Sequence, residues 1–395
     1  MISLPAAGSR VPLLRAVLSV LAVFLLFITV NGCGSTNNTS MVINQAPAQS
    51  LAFVSNSGSG TVSAFTVGTS GTLTPVAGSP FAAGAGAEFM AFDSMHNLLF
   101  VSNQSAASLS VFSVNTTSGV LAAVPGSPFA TGSRPTGVAV SPAMGLVFVG
   151  NQNDSTVSVF SINSQTGSLT PAAGSPVTGI ANPFGLAVNP AGTLLFVNNF
   201  RDDPTGGANA VSAFQIHAGG SLTAAGSPFS TSSPAGLTTP VGLATDGQQL
   251  FVGDHMAEAI STIQINASTG ALSATTLPPP NTSTCTGSCH NNPLRLAVDP
   301  ADKFVFATNV AAGTVSLFSI HSGFLSPVIT ATVGQHPFGV ASDPSGSFLF
   351  VVNKVDNSIS GFSVDPNSGM LTPLPGFPFS GNLNAPTDIV TVKKM

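Results

Sequence analysis

The feature that most constrains this chain is a short segment that keeps returning. LTPVAGSPF at 73–81 recurs as LAAVPGSPF at 121–129, LTPAAGSPV at 169–177, LTAAGSPF at 222–229 and LTPLPGFPF at 371–379. A second segment, apolar-Phe-Val, anchors on Phe53, Phe100, Phe148, Phe196, Phe251, Phe306 and Phe350, at spacings of 47, 48, 48, 55, 55 and 44. A period in this range, with strand-like rather than helical pieces inside it, marks the blades of a β-propeller. The third unit shows four such pieces: PTGVAVSP, GLVFVGN, TVSVFSI and GSLTPAAGSP. TVSVFSI alternates apolar and polar residues except at Phe160,.

The recurring LTPxxGSPF reads as the outermost strand of a blade, where proline is tolerated because no neighbour needs its missing N–H. The Gly-x-Pro is expected to stop pairing there and return the chain to the centre, where Pro-x-Gly opens the next inner strand. The first unit starts at LAFVSN without an inner strand, and the chain ends with a spare one, APTDIVTV at 385–392. The expectation is therefore an all-β, seven-bladed β-propeller of four-stranded antiparallel blades. Its C-terminal strand completes blade 1, which removes exposed edges. Residues 50–395 form this one domain.

The first 49 residues read differently. Arg10 and Arg15 precede a 15-residue apolar stretch, 16–30, which suits a secretory signal core better than a membrane span of about 20 residues,. It runs into Val30-Asn31-Gly32-Cys33, which resembles a bacterial lipobox. Residues 1–32 are thus expected to be a lipoprotein signal, Cys33 the lipidated residue, and 33–49 a polar tether. The alternative is an ordinary cleaved signal with an incidental cysteine. An exported, envelope-bound monomer is expected, touching the membrane only through its anchor. Cys285 and Cys289 then read as a loop-stapling disulfide. The Cys-x3-Cys-His run ending at His290 departs from the Cys-x2-Cys-His of haem attachment, and no cofactor or metal is expected.

Only 6% of the residues are charged, and the formal net charge is −5, with no Lys/Arg run to meet nucleic-acid phosphates,. So few charges make their placement informative. The Pro-x-Gly position holds Gly137, Gly185, Gly242 and Gly339 in four blades, but Arg295 in blade 6 and Asp388 in blade 1. Arg134 and His336 directly precede the Pro in blades 3 and 7, and Glu88 follows that position in blade 2. Five charges from blades 6, 7, 1, 2 and 3 are expected around one mouth. Glu88 or His336 is the candidate general base, while Arg134, Arg295 and Asp388 are candidate ligand-binding residues. The alternative is a set of mutually neutralising ion pairs.

LFVSN, LFVNN and FVVNK, with TVSVFSIN, ISGFSVDPNSG and PFGVASDPSGSFLFV, resemble the units of the seven-bladed β-propeller lactonase family, which includes the 6-phosphogluconolactonase-like and YVTN-type repeat proteins. The resemblance covers essentially residues 50–392. It implies opening of a lactone ring, such as that of a sugar acid, by a His, Glu and Arg set at the channel mouth, acting on a small polar or anionic ligand. A reading from another class is a non-catalytic envelope scaffold that binds a protein or glycan through the loops at 200–210 and 278–293.

Overall fold

The strands that read LFVSN and LFVGN, Leu98–Asn103 and Leu146–Asn151, are buried at every residue. A strand apolar on both faces needs cover on both, and stacking sheets around an axis supplies it. The computed structural model describes residues 50–200, 210–226, 228–230, 240–255, 258–274 and 292–395. In it seven antiparallel sheets each run inner, second, third and outer strand. The sheet of blade 3 is Pro135–Ser141, Leu146–Asn151, Thr156–Ile162 and Leu169–Pro171. In blade 1 the inner strand is Pro386–Lys393, paired with Ser50–Asn56 so that Leu51 opposes Val392 and Phe53 opposes Val390. The last strand of the chain therefore closes the ring.

The core is correspondingly sevenfold. Seven apolar clusters each join two consecutive blades. The closing cluster packs Val54 and Phe65 of blade 1 on Phe348 and Phe350 of blade 7. The seven anchor phenylalanines are all fully buried. Phe160 interrupts the alternation of its strand without penalty because both faces of a blade are covered. Truncating one anchor leaves a ring-sized cavity that rigid sheets cannot collapse. Phe148→Ala is expected to lower the unfolding free energy by about 3–5 kcal/mol, read from the urea midpoint.

Between blades the inner strands pass backbone against backbone. A Cβ on Gly137 would lie 2.5 Å from the Phe184 carbonyl oxygen, and one on Gly339 2.7 Å from the Asp388 Cα. Hydroxyls tie the same seam: Thr136 Oγ1 donates to the Pro183 carbonyl at 2.8 Å, and Thr308 Oγ1 to that of Phe338 at 2.8 Å. The asparagine that ends each LFVxN strand is structural as well. Asn103, Asn151 and Asn353 each donate to two hydroxyls of the third strand at 2.9–3.0 Å, as with Ser108 (3.0 Å) and Ser110 (2.9 Å) for Asn103.

One expectation is corrected. The Gly-x-Pro does not end the pairing of the outer strand; it makes a detour within it. Leu73–Pro75 pairs with one half of Thr61–Val67, and Phe81–Ala82 pairs with the other half. Phe129–Ala130 and Val177–Thr178 do the same in blades 2 and 3. The serine of GSP fills the gap: Ser79, Ser127 and Ser175 each accept the ladder N–H of Ala64, Val111 and Val159 at 2.9 Å. A hydroxyl thus replaces a backbone carbonyl, so no N–H is left unpaired. Blade 7 has GFP instead, and the Phe377 ring lies against Gly361, the residue in place of Ala64.

Candidate functional site: the channel mouth

All seven inner strands shift register against their second strands just after they begin, for example between Pro135 and Val138 and between Pro293 and Leu296. Such a bulge interrupts the ladder at the rim of the ring. The third residue of the inner strand, at or just after this shift, is Phe89, Gly137, Gly185, Gly242, Arg295, Gly339 and Asp388 in turn. Four glycines leave room, and three side chains from blades 2, 6 and 1 occupy it. Beyond them, Met90, Val138, Leu186, Leu296, Val340 and Ile389 wall an axial cavity of about 170 Å³ that Arg295 and Asp388 also line.

Arg295 is the centre of this arrangement. Its guanidinium carbon sits 3.7 Å over the Phe89 ring and 5.7 Å from the Phe338 centroid. Among the described residues, no ion pair within 4 Å joins it to Asp388 or Glu88, and neither its Nε nor its Nη2 has a hydrogen-bond partner. Burial pushes its pKa down, and the fields of Asp388 and Glu88 oppose that push. Burial likewise raises Asp388, against Arg295 and against the N–H groups of Met90 (2.9 Å) and Ile389 (3.1 Å) that its two oxygens accept. Glu88 is 8% exposed. Burial raises its pKa too, while Arg295, Lys354 and Arg134 lower it and Asp388 adds to the rise. Two carboxyls and a guanidinium thus share one poorly solvated field without neutralising contacts.

Arg134 and His336 stand elsewhere on the rim. Each is an exposed corner residue with positive φ, +54° and +52°, just before the inner-strand proline. Their carbonyls accept the N–H of Gln152 and Lys354, both at 3.0 Å. Arg134 is close enough to act on Glu88, but His336 is not among the charges that do. His336 instead lines a separate groove with Asp356, between blades 6 and 7. Gly86 holds the same corner in blade 2 with φ +73°. Arg134→Gly is therefore expected to leave thermal stability equal or raise it by up to about 1 kcal/mol, while weakening anion affinity in a binding titration.

Reasoning from charge alone missed the aromatic part of the mouth. Phe89 stands where four blades have glycine, and its ring meets Phe184 edge-on at 5.3 Å. Phe184 in turn meets Phe200 at 5.3 Å with a 34° tilt. Across the mouth Lys354 Nζ lies 4.8 Å from the Phe338 centroid. The signal was present in the aligned strand starts, as a phenylalanine at a glycine position. On the opposite face the aspartates cap turns: Asp299 accepts from Ala301, Lys303 and Phe304, and Asp343 from Ser345 and Phe348. On that face His96 is paired with buried Asp93 at 2.7 Å. Residues 1–49, the disulfide candidates Cys285 and Cys289, His290 and most of the inserted loops 200–210 and 278–293 lie outside the described residues.

Among solved structures, the chain is similar to a protein from Lactobacillus plantarum, with TM-score 0.73 and 19% identity over 88% of this chain and 100% of that one. It is similar to the periplasmic gluconolactonase PpgL of Pseudomonas aeruginosa, with TM-score 0.70 and 19% identity over 88% and 100%. A putative 6-phosphogluconolactonase from Bacteroides fragilis gives TM-score 0.69 and 17% identity over 88% and 98%. At such identities the likeness carries the fold. No curated protein sequence matches the chain. The model of the family described as "Lactonase, 7-bladed beta-propeller" matches residues 28–129, 97–179 and 269–381. With the seven closed blades, this match places the chain in the seven-bladed β-propeller lactonase family.

Proposed function

We propose that the protein is an exported, lipid-anchored hydrolase that opens a lactone ring at the channel mouth. The observation that carries this reading is the pair of partnerless, buried nitrogens of Arg295, Nε and Nη2, in the field of a buried carboxyl of raised pKa, Glu88. A guanidinium with free N–H groups in a water-poor site is placed to receive an oxygen on which negative charge develops. A carboxylate whose pKa is raised by burial is a stronger general base than an ordinary one.

The step follows from those two groups. Glu88, ionised, takes a proton from water as the water oxygen bonds to the lactone carbonyl carbon. The carbonyl oxygen gains the negative charge and is held by Arg295. The ring C–O bond then breaks as the carbonyl re-forms, and protonated Glu88 returns its proton to the departing ring oxygen. The product is the open hydroxy acid. Arg134 and Lys354, both acting on Glu88 from the rim, supply positive charge for an anionic substituent. His336, in its separate groove, has no part in this step.

Lactone hydrolysis by soluble residues 34–395 tests the reading, with a panel of 6-phosphogluconolactone, gluconolactone, simple γ- and δ-lactones and 3,4-dihydrocoumarin. Turnover above the spontaneous rate on any of them, lost in the Glu88 variant, supports it. Spontaneous rates throughout would leave a binding protein. Export is tested separately, by [³H]palmitate labelling of the wild-type chain and of Cys33→Ser in the producing cell.

A further inference from the structure

The four phenylalanines of the mouth form a feature that the hydrolytic step does not use. Phe89 is the buried centre, with Arg295 stacked on it and Phe184 against its edge; Phe184 and Phe200 follow, partly buried, and partly buried Phe338 flanks Arg295 on the other side. These rings come from blades 2, 4 and 7, so their meeting is a product of the ring closure and not of any local apolar run. The position is not aromatic by rule: where blades 4 and 7 have Phe184 and Phe338, blades 1 and 3 have Thr387 and Thr136 and blades 5 and 6 have Val241 and Leu294, and Phe200 stands where blades 2 and 3 have Gln104 and Gln152.

We infer that the ligand of this mouth carries a flat aryl face next to its carboxyl or lactone carbonyl, and that Phe184 and Phe200 hold that face while Arg295 holds the oxygen. This names the substrate class of the hydrolytic reading and rests on the same mouth. Phenylalanine offers hydrocarbon only, and the chain has neither Trp nor Tyr to supply a ring N–H or O–H. A polyhydroxylated ring laid on these phenylalanines would lose water from hydroxyls that find no partner there, which is costly. An aryl ring has no such groups, and it adds offset or edge-on contacts of the kind Phe89, Phe184 and Phe200 already make with one another. The Nε and Nη2 of Arg295, buried and without a hydrogen-bond partner among the described residues, are the donors that a carboxylate oxygen pair entering at the end of the aryl stack would satisfy,.

Calorimetric titration of residues 34–395 with trans-cinnamate and with gluconate tests this without any turnover. Cinnamate is expected to bind at least ten-fold tighter than gluconate. Phe184→Leu and Phe200→Leu keep hydrocarbon volume and so the fold; each is expected to weaken cinnamate about five- to ten-fold and leave gluconate unchanged. Phe92→Leu, away from the mouth aromatics, controls for a general effect of losing a ring. Absence of cinnamate binding, gluconate binding as tight as cinnamate, or cinnamate affinity unmoved in both mouth variants would each overturn the inference. Cinnamate has no ring to open. A protein that binds it but hydrolyses no lactone overturns the hydrolytic reading alone, and one that opens gluconolactone but ignores cinnamate overturns this inference alone.

Discussion

Glu88→Gln is expected to reduce lactone hydrolysis by about 10²–10⁴-fold while the propeller stays folded. Gln has the same shape, and the Glu88 contacts that hold the blades use its backbone: its carbonyl accepts the Ser55 and Thr387 hydroxyls at 2.6 and 3.2 Å. The wild-type pH profile carries the finer signature. Burial raises the Glu88 pKa, so the acid limb of kcat/KM is expected above about 4.3, the ordinary glutamate value. The same shift has a stability sign. Between the unfolded value and the raised folded one, the folded chain holds more proton than the unfolded chain, so stability falls as pH rises through that window. Glu88→Gln removes the group and flattens that part of the curve. Urea midpoints collected from pH 4 upward on both proteins, beside stopped-flow rates, would show it. Equal slopes in the two proteins would mean that Glu88 is not the buried titrating group.

Arg295→Met is the second large effect. Removing the guanidinium is expected to lower kcat/KM by about 10²–10³-fold, with the stem volume kept. Among the charges that lower the Glu88 pKa, Arg295 acts most strongly, so the variant's acid limb moves to higher pH. Asp388 loses its largest opposing charge as well, which leaves a buried carboxyl without a counter-ion and destabilises the variant. Adding Asp388→Asn is expected to restore stability but not activity. That split separates a working arginine from one that serves only to neutralise its neighbours: in the latter case the double variant would recover both. A Met variant with an unmoved pH limb would break the electrostatic link between the two residues.

The two effects differ in how far they could be foreseen. Arg295 and Asp388 stood out in the sequence because they replace glycine at one aligned position, and Glu88 because it adjoins that position. His336 stood out on the same evidence, as a charge before a proline, yet it lines another groove. The reason lies in position: His336, at a corner with φ +52°, precedes by three residues the Gly339 position whose equivalents Phe89, Arg295 and Asp388 line the axial cavity. Linear offset by two or three residues decides between rim and channel, and the alignment did not resolve it. The aromatic stack escaped for a related reason. Phe89, Phe184, Phe200 and Phe338 are separated by up to about 250 residues of chain and look like ordinary apolar residues where they stand.

The sequence by itself determined the architecture. A strand apolar on both faces, returning seven times with turn residues between, has few ways to bury itself, and the missing first inner strand with a spare last one settles how the ring closes. It also showed where the rare charges fall along each repeat. Only the tertiary structure decided which of them meet, because the meeting partners come from different blades and the register shift at each inner strand sets the direction of every side chain. It alone showed the serine of GSP standing in for a ladder carbonyl, and a guanidinium stacked on phenylalanine without a hydrogen-bond partner for two of its nitrogens. Periodicity is written in local spacing; burial, field and contact across the axis arise only when the seven blades are brought around one centre.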